Sequence, residues 1–350
     1  MSASLCIAAQ YASPGFGGIA RVVRLVARVA AAEKVPATLL VAAEERPVDD
    51  LGIPVRCFGG SRAGFLLAVQ IAGLTASHFL YDFAGSGRAH LFNRVLDRPY
   101  AVWVHGAEAW EAARRDYLSV MRSAQTIFAS SRFTHDKADR LHGRFERAKI
   151  CWLATLEDEP AEIVPPTGPP SVLIMANMAQ HYKGQDLLID AWPHVVHEIP
   201  DARLLITGKW LGAEIDVAAR RSPAAANIDI LGFIPEEKLV SLWHRTTVYA
   251  MPSMGEGFGL VYIEAMRYGR PVIASTQDAG CEVNRHGVTG FNIDRNQRGE
   301  LVQALVALLA DPALARRMGN AGRDLWACEF RYSRFRARFA PMLHEFLSAH

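Results

Sequence analysis

The feature that most constrains this chain is the stretch from residue 248 to residue 275, which combines two strand patterns, a glycine-rich turn and a helix pattern. The apolar run Val248 to Met251 predicts a strand, and Pro252 ends it because proline cannot donate within a sheet. A helix is predicted from about Phe258 to Tyr268, followed by a buried strand from Pro271 to Ser275. This order is typical of a parallel sheet covered by helices.

The glycine-rich turn predicts an anion-binding site. Gly255, Gly257 and Gly259 permit backbone conformations that side chains would forbid. The first amides of the following helix lack intrahelical acceptors, and the helix dipole adds partial positive charge there. Glu256 is predicted to lie in the turn, and Glu264 two turns into the helix. Acids beside a phosphate site favour a ligand with hydroxyl groups, such as a ribose and a sugar.

These residues resemble the signature of the retaining glycosyltransferases of family 4. Seven residues separate Glu256 from Glu264, within Gly-Glu-Gly-Phe-Gly-Leu, then Glu-Ala-Met, and then Pro-Val-Ile-Ala-Ser. The resemblance implies a GT-B fold, in which two Rossmann-like doubly wound domains face each other across a cleft and a C-terminal helix crosses back. It also implies a nucleoside diphosphate sugar as co-substrate, with no other cofactor and no metal.

A proline-rich segment predicts where the domains are divided. Residues 163–170 contain four prolines in eight residues, which is typical of a stiff linker. We therefore expect an N-terminal acceptor-side domain over residues 1–163 and a linker over residues 164–170. A C-terminal nucleotide-sugar-binding domain is expected over residues 171–329, and residues 330–350 are expected to form a helix that returns to the first domain.

Composition excludes several other classes of protein. The net charge of +2 is too small to predict a nucleic-acid-binding surface. The N-terminus lacks a signal-peptide pattern, and no uncharged apolar run is long enough to span a membrane. The cysteines are scattered without a Cys-x-x-Cys pair, which favours buried thiols in a reducing compartment: Cys6, Cys57, Cys151, Cys281 and Cys328. A cytoplasmic protein is expected, with peripheral association at the inner face of the cytoplasmic membrane left open.

A second glycine-rich segment, Gly15 to Ala20, supports two different interpretations. It fits Gly-x-Gly-x-x-Ala after a strand, and Glu44 lies near the position of a dinucleotide ribose acid. On that pattern alone the protein would be an NAD-dependent oxidoreductase. The adjacent Gly17 and Gly18 instead resemble the family 4 loop whose amides approach the donor diphosphate.

Two further features of the first domain have predicted roles. His105 follows the predicted strand Tyr100 to Val104, and the resemblance implies that it contacts the donor sugar. The apolar segment Phe65 to Leu74 predicts a helix that packs in the core. Membrane docking through this helix is the alternative, since family members often reach lipid acceptors in this way.

Lys183 is the predicted cation for the donor diphosphate, but its expected partner is missing. Relatives carry an Arg a few residues before the Lys-Gly pair, and that position falls here on Asn177 or Met178. Either another cation substitutes, with Arg21 and Lys209 as candidates, or Lys183 and backbone amides hold the diphosphate alone.

The resemblance assigns the remaining donor contacts. Ile234 lies in a turn that meets the nucleobase through backbone atoms, and Glu264 is expected to bind the ribose. Glu256 is expected to hold hydroxyl groups of the donor sugar. The resemblance implies that Glu256, His105 and Lys183 are the catalytic residues. Amides of the helix start are expected to bind the departing phosphate, namely those of Phe258, Gly259 and Leu260.

The predicted function is transfer of a hexosyl group to a hydroxyl of a glycan, lipid-linked or small-molecule acceptor, in bacterial envelope or exopolysaccharide assembly. A glycosidase also uses two carboxylates but has no need of an anion-binding helix start. A non-catalytic nucleotide-sugar-binding protein is another alternative, because the Arg is missing. The sequence leaves open the nucleotide, the sugar, the acceptor, the oligomeric state and whether Glu256 is a nucleophile.

Overall fold

The structure is a computed structural model that describes residues 3–91, 98–111, 113–176, 181–209 and 213–349. It separates into two compact units. The first unit consists of residues 1–156 together with residues 331–350, and the second of residues 157–330. Residues 164–170, which we predicted as the linker, fall within the second unit, where Arg270 donates a 2.7 Å hydrogen bond to the carbonyl of Val164.

The first unit is built on a parallel sheet of seven described strands in the order β3-β2-β1-β4-β5-β6-β7. The strand order reverses between β1 and β4, which is where doubly wound folds place their ligands. The elements are β1 (Leu5–Ala9), α1 (Gly18–Ala32), β2 (Ala37–Val41), β3 (Val55–Cys57), α2 (Arg62–Ala72), β4 (His78–Tyr81), α3 (Ala84–Leu91), β5 (Tyr100–Val104), α4 (Arg115–Ser123), β6 (Thr126–Ala129), α5 (Arg132–His142) and β7 (Ala148–Ile150).

The second unit repeats this architecture with six described strands, all parallel, in the order β10-β9-β8-β11-β12-β13. Here the order reverses between β8 and β11. The elements are β8 (Ser171–Met175), α6 (Gln185–Glu198), β9 (Arg203–Thr207), α7 (Ala213–Arg221), β10 (Ile228–Gly232), α8 (Glu236–Arg245), β11 (Val248–Ala250), α9 (Leu260–Arg267), β12 (Val272–Ser275), α10 (Gly280–Val283), β13 (Gly290–Ile293), α11 (Arg298–Ala310), α12 (Pro312–Leu325) and a π-helical turn (Trp326–Phe330).

The central strands of both sheets are largely buried, as expected for sheets covered by helices on both faces. β1, β5 and β11 contain only buried residues. The side chains of these strands therefore form part of the hydrophobic core of each unit. The polar residues that matter for function lie just beyond the carboxyl ends of these strands.

The C-terminal helix α13 (Tyr332–Ser348) packs in the first unit, as the sequence predicted. Phe335 and Phe339 are fully buried and pack against Trp103 of β5, with ring centroids 6.3 and 5.6 Å away. At the surface, Glu33 accepts hydrogen bonds from Arg336 (2.8 Å) and His344 (3.1 Å). The first unit therefore includes both ends of the chain.

No helix within the described ranges is both long and apolar enough to cross a membrane.

Candidate functional site

The candidate site in the second unit is organised by the loop between β11 and α9. The helix begins at Leu260, two residues later than predicted, so Glu264 lies one turn into the helix rather than two. Gly259 precedes the helix with a φ of 93°, a conformation that disfavours side chains. A Cβ at this position would also lie 2.2 Å from the ring of Tyr262. The loop therefore depends on glycine here for two separate reasons.

Glu256 is held in the loop through both its backbone and its side chain. Its amide donates to Asp278 Oδ2 at 3.0 Å, and its carbonyl accepts from the amide of Ala279 at 3.1 Å. Its carboxylate forms an ion pair with the Lys183 ammonium, and the two side chains are 13 % and 14 % exposed, respectively. The structure thus brings together two of the predicted catalytic residues, which are 73 positions apart in the sequence.

Lys183 reaches this pair from the loop after β8. Gly184 turns the chain with a φ of 91°, and a Cβ there would lie 2.6 Å from the carbonyl oxygen of Pro252. Burial lowers the pKa of the Lys183 ammonium to about 8, and the negative charge of Asp278 opposes that shift. The ammonium also lies 4.9 Å from the centre of the Tyr182 ring. Lys183 is thus a partly desolvated cation beside two acids.

Asp278 is a site residue that our sequence reasoning missed. It is fully buried and accepts from the amide of Gly280 at 2.8 Å as well as from that of Glu256. Burial raises the pKa of this carboxyl to about 7, opposed by hydrogen bonds from Gly280 and Ser253 and by the positive charges of Lys183 and Arg295. Its position after β12, the strand beside β11, is the signal that would have indicated it.

Arg295 is a second missed residue. It follows β13 and donates a 2.8 Å hydrogen bond to the carbonyl of Tyr182, the residue before Lys183. Burial lowers the pKa of the guanidinium, while the charges of Asp186 and Asp278 oppose that shift. The loops after β8, β11, β12 and β13 therefore contribute charged side chains to one edge of the second sheet.

The other predicted donor contacts of this unit lie on the same edge of the sheet or just beyond it. Phe258 and Leu260 are buried beside Gly259, and Glu264 lies on α9. Ile234 is partly buried between β10 and α8, and two strands separate β10 from β11.

The two cations that we considered as substitutes for the missing Arg have different surroundings. Lys209 follows β9 and lies 5.1 Å from the ring centre of Phe233. Arg21 is on α1 of the first unit. Asn177 and Met178, where the resemblance to family 4 leads us to expect the Arg, lie outside the described residues. Within the described residues, no group of three or more His, Cys, Asp or Glu is arranged to hold a metal ion.

In the first unit, the segment Gly15 to Ala20 forms the loop between β1 and the start of α1. Gly17 precedes the helix with a φ of 92°, and a Cβ there would meet nothing within 4 Å, so this side of the loop has room. Glu44 is buried and accepts hydrogen bonds from the amides of Ala12 (2.7 Å) and Ser13 (2.8 Å). The acid that the oxidoreductase interpretation assigned to a ribose thus holds this loop instead, and that alternative is not supported.

His105 lies directly after β5 in a network of short contacts. Its amide donates to Glu108 Oε1 at 2.6 Å, and its Nε2 lies 2.7 Å from the carbonyl oxygen of Asp82. Because a carbonyl can only accept, Nε2 must carry the proton in this contact. Asp82 accepts from the amide of Gln10 at 2.8 Å, and burial raises its pKa to about 7. The predicted contact of His105 with a donor sugar stays a prediction.

Comparison with solved structures defines the fold. Anabaena Alr3699/HepE in complex with UDP-glucose is 18 % identical, with a TM-score of 0.83 over 97 % of this chain and 99 % of that one. Sucrose-phosphate synthase from Thermosynechococcus elongatus is also 18 % identical, with a TM-score of 0.85 over 99 % of this chain and 100 % of that one. With its two parallel-sheet α/β units, the protein therefore has the predicted GT-B fold.

The sequence comparisons show which known family the second unit resembles. The family model described as "Glycosyl transferases group 1" matches residues 157–325, almost the whole second unit. Over those residues the chain is similar to the group 1 glycosyltransferases, and the predicted resemblance to family 4 is confirmed.

Curated relatives match the chain over part of its length. A phosphatidyl-myo-inositol mannosyltransferase from Mycobacterium leprae is 34 % identical over 155 residues, which cover 44 % of this chain and 41 % of that protein. A GDP-mannose-dependent alpha-(1-6)-phosphatidylinositol monomannoside mannosyltransferase from Mycolicibacterium smegmatis is 35 % identical over 172 residues, or 46 % and 44 % of the two chains. The chain spans about two fifths of the length of these relatives.

Proposed function

We propose that the protein is a retaining glycosyltransferase that moves a hexosyl group from a nucleoside diphosphate sugar to an acceptor hydroxyl. The observation that carries this proposal is the ion pair between Lys183 and Glu256 at the start of α9. It lies at the carboxyl ends of β8 and β11, where the strand order of the sheet reverses and where such folds bind ligands.

The chemical demand of the reaction matches these residues. Breaking the bond from the sugar to the diphosphate develops negative charge on the leaving group and positive charge at the anomeric carbon. Lys183 and the amides at the start of α9 supply fixed positive charge for the leaving group. Glu256 supplies a carboxylate that accepts hydrogen bonds from sugar hydroxyls. Glu264 is assigned to the ribose by its place in the family motif.

Retention of configuration needs no covalent sugar–enzyme intermediate in this proposal. A leaving phosphate oxygen accepts the proton of the acceptor hydroxyl as that hydroxyl attacks from the same face. The acceptor oxygen bonds to the anomeric carbon, the diphosphate departs with the proton, and Glu256 orients the sugar. The reaction proposed here requires no metal ion.

The names of the relatives support a donor and an acceptor class. The mannosyltransferases are named for phosphatidylinositol-based substrates, and one is named as dependent on GDP-mannose. We therefore propose a hexose donor and a lipid-linked or glycan acceptor, with a role in bacterial cell-envelope or exopolysaccharide assembly. We infer a cytoplasmic location for this reaction, because nucleotide-sugar donors are used there.

A donor screen tests the proposal directly. The full chain is mixed with UDP-glucose, GDP-mannose or ADP-glucose, and its melting temperature and slow hydrolysis of the donor without acceptor are measured. We expect one donor to raise the melting temperature and to be hydrolysed with release of nucleoside diphosphate. Stabilisation without any hydrolysis or transfer would support a nucleotide-sugar-binding protein instead, and no response to any donor would contradict the proposal.

A further inference from the structure

The charge balance of the candidate site raises the question of a second cation. A nucleoside diphosphate brings about two negative charges, whereas Lys183 brings one positive charge that is paired with Glu256. Asp278 adds a second acid within the same cluster. One ammonium is therefore a poor match for the charge of the leaving group, and a second cation would correct the imbalance.

The loop after β13 places an arginine next to this cluster. Arg295 Nη1 donates to the carbonyl of Tyr182 at 2.8 Å, and Tyr182 is bonded directly to Lys183. The amide of Met254, in the loop that carries Glu256, donates to the same carbonyl at 3.0 Å. Arg295 is thus tied to the two loops that position Lys183 and Glu256.

Electrostatics connects Arg295 with Lys183 independently of that hydrogen bond. Asp278 is fully buried, and both cations act on its carboxyl. Both cations are therefore close enough to this buried acid to favour its charged form. Arg295 itself is only partly buried, so part of this residue is accessible to solvent.

We infer that Arg295 is the second phosphate-binding cation of the donor site and takes the place of the arginine that is absent at Asn177 or Met178. This inference rests on the proposed function. A guanidinium offers five N–H donors in a planar fork, which suits the oxygen atoms of a phosphate. One donor fixes the Tyr182 carbonyl, and the same group presents its charge to the diphosphate.

Calorimetry with paired nucleotides tests the inference. The wild-type chain, R295Q, K183A and R220Q are titrated with UDP, GDP and ADP and with the matching monophosphates. Arg220 is the matched control, because its side chain is 78 % exposed on α7 of the same unit and pairs with Asp216. We expect R295Q to weaken diphosphate binding about 10-fold or more and monophosphate binding less than about 2-fold, since a charge-assisted contact is lost.

The outcomes separate this inference from the proposed function. If K183A weakens diphosphate binding about 10-fold or more while R295Q binds like R220Q, the donor site stands and the role of Arg295 is wrong. Equal weakening of monophosphate and diphosphate binding in R295Q would reduce Arg295 to a structural support of the Tyr182 loop. If the wild-type chain binds none of the diphosphates, both proposals fail.

Discussion

The two units share one architecture, but the residues at the point where the strand order reverses differ between them. Each has a glycine-started helix at that point, α1 or α9, and each has a fully buried aspartate, Asp82 or Asp278, whose pKa burial raises to about 7. In the second unit the aspartate interacts with Lys183 and Arg295. In the first unit, the contacts described for the Asp82 carboxyl are to backbone amides and Ser86.

This difference shows which features distinguish a candidate ligand-binding site from a loop with a purely structural role. Glycines and buried acids occur at both places because both loops need tight turns and satisfied backbone amides. Cations that face acids in a buried cluster cost desolvation, so a purely structural loop gains little from them. The charged cluster of the second unit is therefore the stronger indication of an anionic ligand.

Replacing Glu256, the acid of the ion pair, is the most direct test of the proposed difference between the two units. In E256A the sugar loses its carboxylate partner and Lys183 loses its counterion, so we expect transfer to fall about 100-fold or more with the fold unchanged. Transfer is measured as product formed with the donor found in the screen, and folding as the melting temperature. Glu237, exposed on α8, provides the control variant E237A. Transfer by E256A within about 2-fold of wild type would remove Glu256 from the mechanism.

Alanine substitutions at the two glycines that precede α1 and α9 compare how much each loop depends on glycine for its stability. G17A forces a side chain into a positive-φ conformation but into open space, so we expect a loss of about 1 to 2 kcal/mol. G259A adds a collision with the buried ring of Tyr262, so we expect a loss of about 3 kcal/mol or more. The free energy of unfolding in urea measures both. A smaller loss for G259A than for G17A would contradict this account of the α9 loop.

The smallest expected effect is the contribution of the two buried aspartates to the pH dependence of stability. Each carboxyl has a pKa of about 7 when folded and an ordinary value of 3.8, so the folded state retains a proton that the unfolded state releases. The stability that this contributes is present below about pH 4 and is lost as the pH rises through 7, with a slope of at most about 1.4 kcal/mol per pH unit for each group. D82N and D278N should each flatten that dependence, measured by urea unfolding from pH 4 to 8.

Binding should separate these two variants. D278N changes the group that holds the Glu256 amide, so we expect weaker binding of the nucleoside diphosphate, whereas D82N should bind like wild type. Calorimetry at pH 8, where most of both wild-type carboxyls have lost their proton, makes the comparison. Equal weakening in both variants would show that the two loops do not differ in the way proposed.

Much of the fold could be predicted because buried parallel strands have a strong local pattern. The strand Tyr100–Val104 has the predicted bounds, and the strands Val248–Ala250 and Val272–Ser275 lie within one residue of theirs. The short strand Val55–Cys57 was not predicted, because a strand of three residues with an exposed middle residue is too short to show a recognisable hydrophobic pattern. The start of α9 was placed two residues early, because the glycine run hides where helical geometry begins.

The candidate site was predictable where a motif is continuous in the sequence. Glu256 and the glycines around it stand in one recognisable stretch, and Lys183 stands beside a glycine. Asp278 and Arg295 could not be assigned in this way, because their importance comes from the order of strands in the sheet. Only the placement of β12 beside β11, and of β13 beside β12, brings their loops to the same edge.

The path of the chain has a consequence for synthesis. The second unit is one continuous segment, whereas the first is completed only by α13, whose Phe335 and Phe339 cover Trp103. A ribosome therefore releases every residue of the second unit before the first unit can close its core. The nascent first unit lacks the two phenyl rings that α13 packs on the Trp103 indole until residues 331–350 have been synthesised.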